Sequence, residues 1–315
     1  MPERVLVTRK LKSETLQRLY DQYEVDVWDS ANEAMPRGQL LERVKDSVGI
    51  LCMLTDKIDT EALDAAGSQL RAVSTMSVGF DHVDAVALKE RNIELGTTPG
   101  VLDDAVADLT IALMLNVSRR MPEATAAAEN GEWGAWSPYW LTGQDLSKST
   151  VGIIGMGAIG AAVARRLSGF GCTILYSGRT QKLELEHILG AKFVTQDELL
   201  AQSDFVSIHT ALTDDTAKMC NVEFFTKMKS SAVFVNTGRG GLVDQDALYG
   251  VLKDKRIFGA GIDVTDPEPL PTDHPLFRLD NCTVLPHIGS ASIRTREAMA
   301  KLSVENLLSG LAVKQ

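Results

Sequence analysis

The chain has 315 residues, of which 44% are hydrophobic and 23% are charged, a balance typical of a globular protein with room for two domains. Its formal net charge of −10 argues against nucleic acid as a partner, because phosphate backbones bind to basic surfaces. No stretch approaches the roughly 18 uninterrupted apolar residues of a membrane-spanning helix, and the first residues lack the apolar core of a secretion signal.

The cysteines indicate the compartment. Cys52, Cys172, Cys220 and Cys282 are far apart and form no C-x-x-C pair. Such cysteines are typical of free thiols in a reducing environment rather than of a metal or redox site. We therefore expect a cytoplasmic protein without a bound metal ion.

The N-terminal part of the sequence alternates short apolar runs with helical patterns. Strands are predicted at 4–8, 25–28, 48–54, 70–74 and 93–96, with helical stretches between them. Alternating strand and helix units predict a parallel sheet that is covered by helices on both faces. A longer helix then begins at Asp103 and Asp104, which can cap it, and it carries an apolar stripe through Val106, Leu113 and Val117.

Residues 131–140, with the sequence G-E-W-G-A-W-S-P-Y-W, contain three of the four tryptophans and a tyrosine. Their helical periodicity is weak. The aromatic side chains form either a local core cluster or an exposed arm that buries them against a second subunit. We favour the arm.

A second α/β block follows the aromatic segment. Its strands are predicted at 150–154, 173–177, 205–209, 232–236, 259–263 and 283–285, the pattern of a six-stranded Rossmann sheet. The helix predicted over 293–311 lies beyond these strands, so we expect it to return to the first sheet. The fold class is therefore α/β with two Rossmann-like parallel-sheet domains. One domain is discontinuous, with residues 1–103 and 286–315, the other spans 104–285, and a ligand-binding cleft is expected between them.

The start of the second block is the most specific motif in the sequence. The apolar run V-G-I-I continues into Gly155-Met-Gly157-Ala158-Ile159-Gly160 and then into a helical pattern. A strand, a glycine turn and a helix in this order predict a dinucleotide-binding loop. In such loops the first glycine permits a tight turn, the second lets a pyrophosphate approach, and the third lets the helix pack on the strand, while free N–H groups of the helix bind phosphate. The alternative is a glycine turn that binds nothing.

The end of the next strand indicates which dinucleotide is bound. NAD enzymes normally place Asp or Glu about twenty residues after the glycines, where the carboxylate binds the ribose 2′-hydroxyl. This sequence instead has Ser177-Gly-Arg179-Thr180-Gln-Lys182. A hydroxyl followed by cations suits a 2′-phosphate, so we predict that NADP(H) is preferred over NAD(H). The alternative is that Arg179 and Lys182 are only solvated loop cations.

Three residues with the chemistry of a 2-oxo acid reductase each follow a strand of the second block. Arg239 offers a planar fork that binds a carboxylate, and His287 can donate a proton to a carbonyl oxygen. Glu268 lies in a proline-rich loop, where a carboxylate beside His287 favours the imidazolium. Asp263 ends its strand and can bind a nicotinamide carboxamide, or it only caps the loop.

With these residues identified, the chain resembles the D-isomer-specific 2-hydroxyacid dehydrogenases over essentially its whole length. Within that family it looks most like the glyoxylate/hydroxypyruvate reductases. The resemblance rests on these segments: S-T-M-S-V-G at 74–79, Val78-Gly-Phe-Asp-His82, W-S-P-Y-W-L at 136–141, the glycine loop, His209-Thr-Ala-Leu-Thr213, Asn236-Thr-Gly-Arg-Gly240, Asp263–Pro269 and L-P-H-I-G-S-A at 285–291.

The resemblance implies a flavodoxin-like substrate domain and an NAD(P)-binding Rossmann domain, with the active site in the cleft between them. It implies Arg239 as the carboxylate clamp and His287 as the acid/base, with Glu268 as its partner. It also implies a homodimer built through an arm at about 120–145, with Trp136 reaching into the active site of the partner. Further contacts are implied for the cofactor at Thr210, Thr237 and Gly289, and for the substrate at Ser290 and at the N–H groups of Val78 and Gly79.

Two departures from the family pattern stand out. Asp108 replaces the usual Glu, which keeps the acid. Gly238 replaces the usual Ser, which we expect to loosen the turn before Arg239.

The sequence thus predicts NADPH-dependent reduction of glyoxylate to glycolate and of hydroxypyruvate to D-glycerate, by hydride transfer to the 2-oxo carbon. One alternative is another D-2-hydroxyacid dehydrogenase, of the broad 2-ketoacid or D-lactate type. A more distant alternative is a non-enzymatic, nucleotide-sensing protein similar to a corepressor. We expect a small 2-oxo or 2-hydroxy acid as the substrate.

Overall fold

The computed structural model describes residues 2–312, and its strands form two parallel sheets. The strands are β1 (Arg4–Val7), β2 (Glu24–Val27), β3 (Ser47–Cys52), β4 (Ala72–Thr75), β5 (Glu94–Gly96), β6 (Thr150–Ile154), β7 (Thr173–Ser177), β8 (Lys192–Phe193), β9 (Phe205–Ile208), β10 (Val233–Asn236), β11 (Gly259–Ile262) and β12 (Cys282–Val284).

Helices connect these strands. They are α1 (Ser13–Tyr20), α2 (Arg37–Arg43), α3 (Thr60–Ala66), α4 (Ala85–Glu90), α5 (Asp103–Ser118), α6 (Met121–Glu129), α7 (Ala158–Ser168), α8 (Leu183–Leu189), α9 (Gln196–Gln202), α10 (Val222–Thr226), α11 (Gln245–Lys253) and α12 (Ile293–Ala312). Short 3-10 turns lie at Gly240–Leu242 and Pro275–Arg278. In the described part of the chain, no helix has both the length and the apolar character that a membrane crossing requires.

The first sheet has five strands in the order β2-β1-β3-β4-β5, and all neighbours are parallel. This is the flavodoxin-like order. Side chains alternate between its faces, as the two-residue period of a strand requires. Leu6 and Ile50 pack in the apolar cluster that includes residues of α2, α3 and α4, whereas Val5 and Leu51 pack in the cluster that includes Leu307 of α12.

The second sheet has seven strands in the order β12-β11-β10-β9-β6-β7-β8, all parallel. The six strands expected from the sequence are present, and β8 is an addition at the edge. This strand consists of only two exposed residues, Lys192 and Phe193. It is too short to show the pattern of apolar residues from which a strand is predicted. The central strands β9 and β10 are buried at every position, which explains their continuous apolar runs.

Helix α5 packs closely on the second sheet because β11 carries two glycines. A Cβ atom at Gly261 would lie 3.1 Å from Leu113, and one at Gly259 would lie 2.7 Å from Val117. Both contacted residues belong to the apolar stripe of α5. Small residues on the strand therefore set the distance between the helix and the sheet.

The chain divides into two compact units. One contains the described residues up to Leu102 and from Ser292 onward, and the other spans Asp103–Ala291. Residues 286–291 therefore lie in the second unit, although we expected them in the first domain. The side chain of Asp263 explains this placement, because it accepts hydrogen bonds from the N–H groups of Ile288 and Gly289 and so ties the segment to β11.

The aromatic segment after α6 forms neither a helix nor a strand. Trp133, Trp136 and Tyr139 are 74%, 86% and 84% exposed, so the alternative of a local core cluster is wrong. Such exposure of three large aromatic side chains within one short segment is unusual for the free surface of a protein.

Candidate active site

The glycine loop connects β6 to α7. At each of its three glycines, the absence of a side chain has a different steric reason. Gly155 has φ +97°, and a Cβ there would lie 2.6 Å from the backbone of His209. A Cβ at Gly160 would clash with the carbonyl oxygen of Gly155. At Gly157, by contrast, a Cβ would meet nothing within 4 Å, so this glycine keeps open the space in front of the helix.

The open space at Gly157 faces the start of α7. Gly157 is the N-cap of this 11-residue helix, and no side chain caps it. The first N–H groups of the helix, including those of Ala158 and Ile159, have no acceptor within the helix itself. They carry the positive end of the helix dipole, so the loop fits a dinucleotide pyrophosphate in both shape and charge.

The loop after β7 supplies hydroxyl groups and cations. Ser177 is buried at the end of the strand, whereas Arg179, Thr180 and Lys182 are exposed. Within residues 2–312, neither Arg179 nor Lys182 forms an ion pair, so both charges are available to an anion.

Glu186, an acidic residue near this loop, already accepts hydrogen bonds within the protein. Glu186 of α8 accepts hydrogen bonds from Gln181 at 3.0 Å and from the Tyr176 hydroxyl at 2.8 Å. Gln181 and then Tyr176 lower the pKa of this carboxyl group. The Tyr176 hydroxyl in turn accepts the N–H of Lys182 at 2.6 Å, which fixes the path of the loop.

Arg239 follows β10 in a tightly tied turn. The side chain of Asn236 donates to the carbonyl oxygen of Arg239 at 2.9 Å and accepts the N–H of Gly238 at 3.0 Å. The guanidinium donates to the carbonyl oxygen of Gly238 at 2.9 Å. Gly240 must be glycine, since a Cβ there would clash with the backbone of Thr265. These hydrogen bonds hold the turn around Gly238, and the expectation that glycine loosens it relative to serine stays a prediction.

Asn236 was not among the predicted site residues, although its position gave a signal. Asn directly after a strand and before Gly is typical of a turn in which the side chain bonds to the backbone two or three residues further on. The pattern N-T-G-R contains that signal.

Glu268 and His287 form a hydrogen-bonded pair. Their side chains follow β11 and β12, which are neighbours in the sheet, and the Glu268 Oε2 lies 2.9 Å from the His287 Nδ1. The other carboxylate oxygen accepts the N–H of Thr265 at 3.1 Å. Burial raises the pKa of Glu268, but the hydrogen bond and charge of His287, with smaller help from Thr265 and Arg239, outweigh it and lower the pKa overall.

The state of Glu268 determines the proton position on His287. A carboxylate with a lowered pKa is ionised at neutral pH and can only accept hydrogen bonds. The Nδ1 atom must therefore carry the shared proton. The proton that His287 can exchange with a ligand is consequently the one on Nε2.

Asp263 holds the backbone of the histidine loop. Its two carboxylate oxygens accept the N–H groups of Ile288 and Gly289, both at 2.7 Å, and its carbonyl oxygen accepts the N–H of His287 at 2.9 Å. His287 has φ +54°, a left-handed conformation that non-glycine residues seldom adopt. Burial raises the pKa of Asp263, and the two N–H groups oppose this shift.

The remaining predicted residues of the second unit lie near these loops in the chain. Thr210 follows β9, and Gly289 and Ser290 are buried after His287. The Thr237 hydroxyl lies 2.9 Å from the Thr110 hydroxyl, whose own proton is donated to the carbonyl oxygen of Val106. Thr237 is therefore the donor of that pair, and its oxygen can accept a hydrogen bond from a ligand.

Parallel pairing brings these groups to one edge of one sheet. Arg239, Glu268 and His287 follow the adjacent strands β10, β11 and β12, while the glycine loop and Ser177 belong to β6 and β7 further along. Val78 and Gly79 lie in the other unit, after β4, and Trp136 lies in the exposed aromatic segment. Their contribution to a substrate site remains a prediction.

Comparison with known proteins agrees with this arrangement. Residues 111–289 match the model of the family "D-isomer specific 2-hydroxyacid dehydrogenase, NAD binding domain". The chain belongs to this family. It is therefore an oxidoreductase with an NAD(P)-binding domain.

Individual relatives extend the match over nearly the whole chain. The human glyoxylate reductase/hydroxypyruvate reductase is 49% identical, over 98% of this chain and 94% of that protein. A crystal structure of a Thermus thermophilus protein has a TM-score of 0.91 at 46% identity, covering 99% of this chain and 98% of the other. An NADPH-dependent glyoxylate/hydroxypyruvate reductase of Sinorhizobium meliloti, solved with NADP and malonate, has a TM-score of 0.84 at 34% identity, covering 98% and 93%.

The role of Asp263 is testable by Asp263→Asn. An amide places N–H donors against the N–H groups of Ile288 and Gly289, so at least one hydrogen bond is lost and the histidine loop shifts. We expect the kcat for reduction of a 2-oxo acid to fall by about 10- to 100-fold, since small displacements of catalytic groups are costly. Steady-state rates measure this, with thermal melting to show that the variant is folded.

Asp266→Asn is the matched control, because Asp266 lies in the same loop with an exposed side chain. It should retain the wild-type kcat. A wild-type kcat in Asp263→Asn would show that Asp263 does not position His287.

The ion pair predicts a pH dependence. Because the pKa of Glu268 is lowered in the folded protein, the carboxylate stays ionised through the range near 4.5 where an ordinary glutamate protonates. The ionised carboxylate therefore makes its full contribution to the free energy of unfolding above that range. This contribution is lost as the pH falls through the lowered pKa. In Glu268→Gln the imidazolium lacks its counter-charge, so we expect kcat near neutral pH to fall by up to about 10²-fold.

Rates of NADPH oxidation across pH measure the effect of Glu268→Gln. Glu223→Gln removes an exposed carboxylate that pairs with Lys227 and serves as the control. A Glu268→Gln profile that coincides with that of the wild type would contradict the assigned partnership.

Proposed function

We propose that this protein reduces small 2-oxo acids with NADPH, converting glyoxylate to glycolate and hydroxypyruvate to D-glycerate. The observation that carries the proposal is the Glu268–His287 pair, 2.9 Å apart, beside the Arg239 turn on the sheet that carries the dinucleotide loop. Relatives named as glyoxylate or hydroxypyruvate reductases support the choice of substrate.

Arg239 is the group that binds the substrate carboxylate in this proposal. Its guanidinium is permanently charged and its planar fork matches the two carboxylate oxygens. Asn236 fixes the backbone of Arg239, so the position of the cation is set before the substrate arrives. In a protein with a net charge of −10, a local cation is needed to attract an anionic substrate.

His287 supplies the proton of the reduction. As the carbonyl oxygen of the substrate gains negative charge, the proton on Nε2 of the imidazolium passes to it and forms the hydroxyl group. Glu268 retains its negative charge and stabilises the imidazolium before the transfer. After the transfer, His287 is neutral with its proton on Nδ1, and it recovers the second proton from water.

NADPH, when bound, supplies the hydride that the 2-oxo carbon receives. In the proposed complex the N–H groups of α7 after Gly157 would hold the pyrophosphate, and Ser177, Arg179, Thr180 and Lys182 would hold the 2′-phosphate. Thr210, Thr237, Asp263 and Gly289 would line the nicotinamide end. The absence of ion pairs at Arg179 and Lys182 in the described chain supports preference for NADPH over NADH.

We further propose a homodimer formed through the arm at about 120–145, whose exposed Trp133, Trp136 and Tyr139 would be buried by the partner. Trp136 would then limit the size of the substrate beyond C2 in the partner's site. The four unpaired thiols support a reducing compartment such as the cytoplasm. The chain's own Val78, Gly79 and Ser290 would complete the contacts with the substrate.

Initial rates test the proposal directly. Purified protein is given NADPH or NADH with glyoxylate, hydroxypyruvate or pyruvate at neutral pH. We expect fast oxidation of NADPH with the first two acids and slow oxidation with pyruvate. A preference for pyruvate would instead favour a broad 2-ketoacid or D-lactate enzyme, and no turnover with any acid would favour the nucleotide-sensing alternative.

The cofactor preference has its own test in Arg179→Ala. Loss of a cation that contacts the 2′-phosphate should raise KM for NADPH by about tenfold or more and leave KM for NADH nearly unchanged, since NADH lacks that phosphate. Lys192→Ala, which removes an exposed charge from the neighbouring strand β8, is the control. Equal changes for both cofactors would reject the contact.

A further inference from the structure

A short chain of hydrogen bonds lies after β4 in the first unit. The His82 Nε2 is 2.9 Å from the Thr75 hydroxyl, which is 2.9 Å from the Ser77 hydroxyl. The Ser77 hydroxyl is 2.7 Å from the carbonyl oxygen of Gly79. Thr75 is fully buried and Ser77 is 5% exposed, so neither hydroxyl can exchange these partners freely for water.

The direction of each hydrogen bond in this chain is fixed by counting protons. The carbonyl oxygen of Gly79 can only accept a hydrogen bond, so the Ser77 hydroxyl donates its one proton to that oxygen. Thr75 must then donate to Ser77, and the proton between Thr75 and His82 must come from Nε2 of the ring. Any other arrangement leaves one 2.9 Å contact between two lone pairs. The chain therefore runs from His82 through Thr75 and Ser77 to Gly79.

The same segment is held at a second point. The carbonyl oxygen of Ser77 accepts the N–H of Thr98 at 2.8 Å. In a trans peptide the C=O and N–H groups point in opposite directions, so the N–H of Val78 points away from the buried Thr98. The peptide units on both sides of the Val78–Gly79 bond are thus fixed, one by Thr98 and one by Ser77.

The Val78–Gly79 segment presents donors that the fold does not use. Both residues are partly exposed, and within residues 2–312 neither N–H group donates a hydrogen bond to the protein. Two neighbouring N–H groups without acceptors, in a backbone that is fixed on both sides, suit an anion.

We propose that His82, Thr75 and Ser77 are positioning residues for substrate binding: their hydrogen-bond chain orients the Val78–Gly79 backbone so that its N–H groups bind the substrate carboxylate. This inference rests on the proposed reductase function and deepens it. The substrate carboxylate is held equally in the ground state and the transition state. The hydrogen-bond chain therefore affects KM and not kcat.

Steady-state kinetics with glyoxylate and NADPH test the inference through Ser77→Ala and Thr75→Val. Each variant removes one hydroxyl group and breaks the chain. We expect KM for glyoxylate to rise by about tenfold, with kcat within about twofold and KM for NADPH unchanged. Thr75→Ser keeps the hydroxyl and should restore the wild-type KM. If Thr75→Val does not fold, Ser77→Ala carries the test alone.

Ser74→Ala is the matched control for these variants. Ser74 is a buried serine of β4, but its hydroxyl donates to the carbonyl oxygen of Ser303 in α12 and not toward Gly79. It should share any loss of stability while keeping the wild-type KM. If Ser77→Ala keeps KM, or if Ser74→Ala raises it equally, the inference is overturned while the reductase activity of the wild type still supports the proposed function. A wild type that reduces no 2-oxo acid would overturn both.

A measurement without activity tests the proton count. Nitrogen NMR of the labelled histidine rings at about pH 8 reports which ring nitrogen carries the proton. We expect the proton of His82 on Nε2. A proton on Nδ1 alone would contradict the direction of the chain.

Discussion

Parallel strand pairing is the constraint on which the candidate site depends. In a parallel sheet every strand ends at the same edge, so residues far apart in sequence meet without any direct signal between them. The neighbours β10, β11 and β12 place Arg239, Glu268 and His287 side by side, although 48 sequence positions separate the first from the last. The dinucleotide loop belongs to the same edge, so the cofactor loop and the proposed acid/base pair share one sheet.

The loops at this edge are held largely by side chains that bond to backbone groups. Asn236 ties the turn of Arg239, and Asp263 ties the loop of His287. In each case a neighbouring polar residue fixes the backbone of the residue that carries the candidate functional side chain. In the proposed reaction, such an arrangement would lower the reorganisation needed when charge develops.

Much of this organisation could be predicted from the sequence, because the relevant signals are local. Apolar runs between helical patterns defined the two sheets, and the spacing of Gly155, Gly157 and Gly160 defined the loop between β6 and α7. The edge strand β8 could not be predicted, since two residues carry no period. The hydrogen-bond chain through Thr75, Ser77 and His82 could not be predicted either. The hydrogen-bond partner of a hydroxyl group is set only after the surrounding backbone has folded.

The left-handed backbone of His287 also limits how this position can vary. At φ +54° a β-branched residue is strongly disfavoured, whereas Asn, Asp and Gly adopt the conformation at little cost. A change from His to Asn would therefore remove the imidazole while leaving the loop in place, but a change to Val would also displace Ile288 and Gly289 from Asp263. Among inactive descendants of such a protein, those that kept the histidine loop intact would be expected to carry a small polar residue or glycine here.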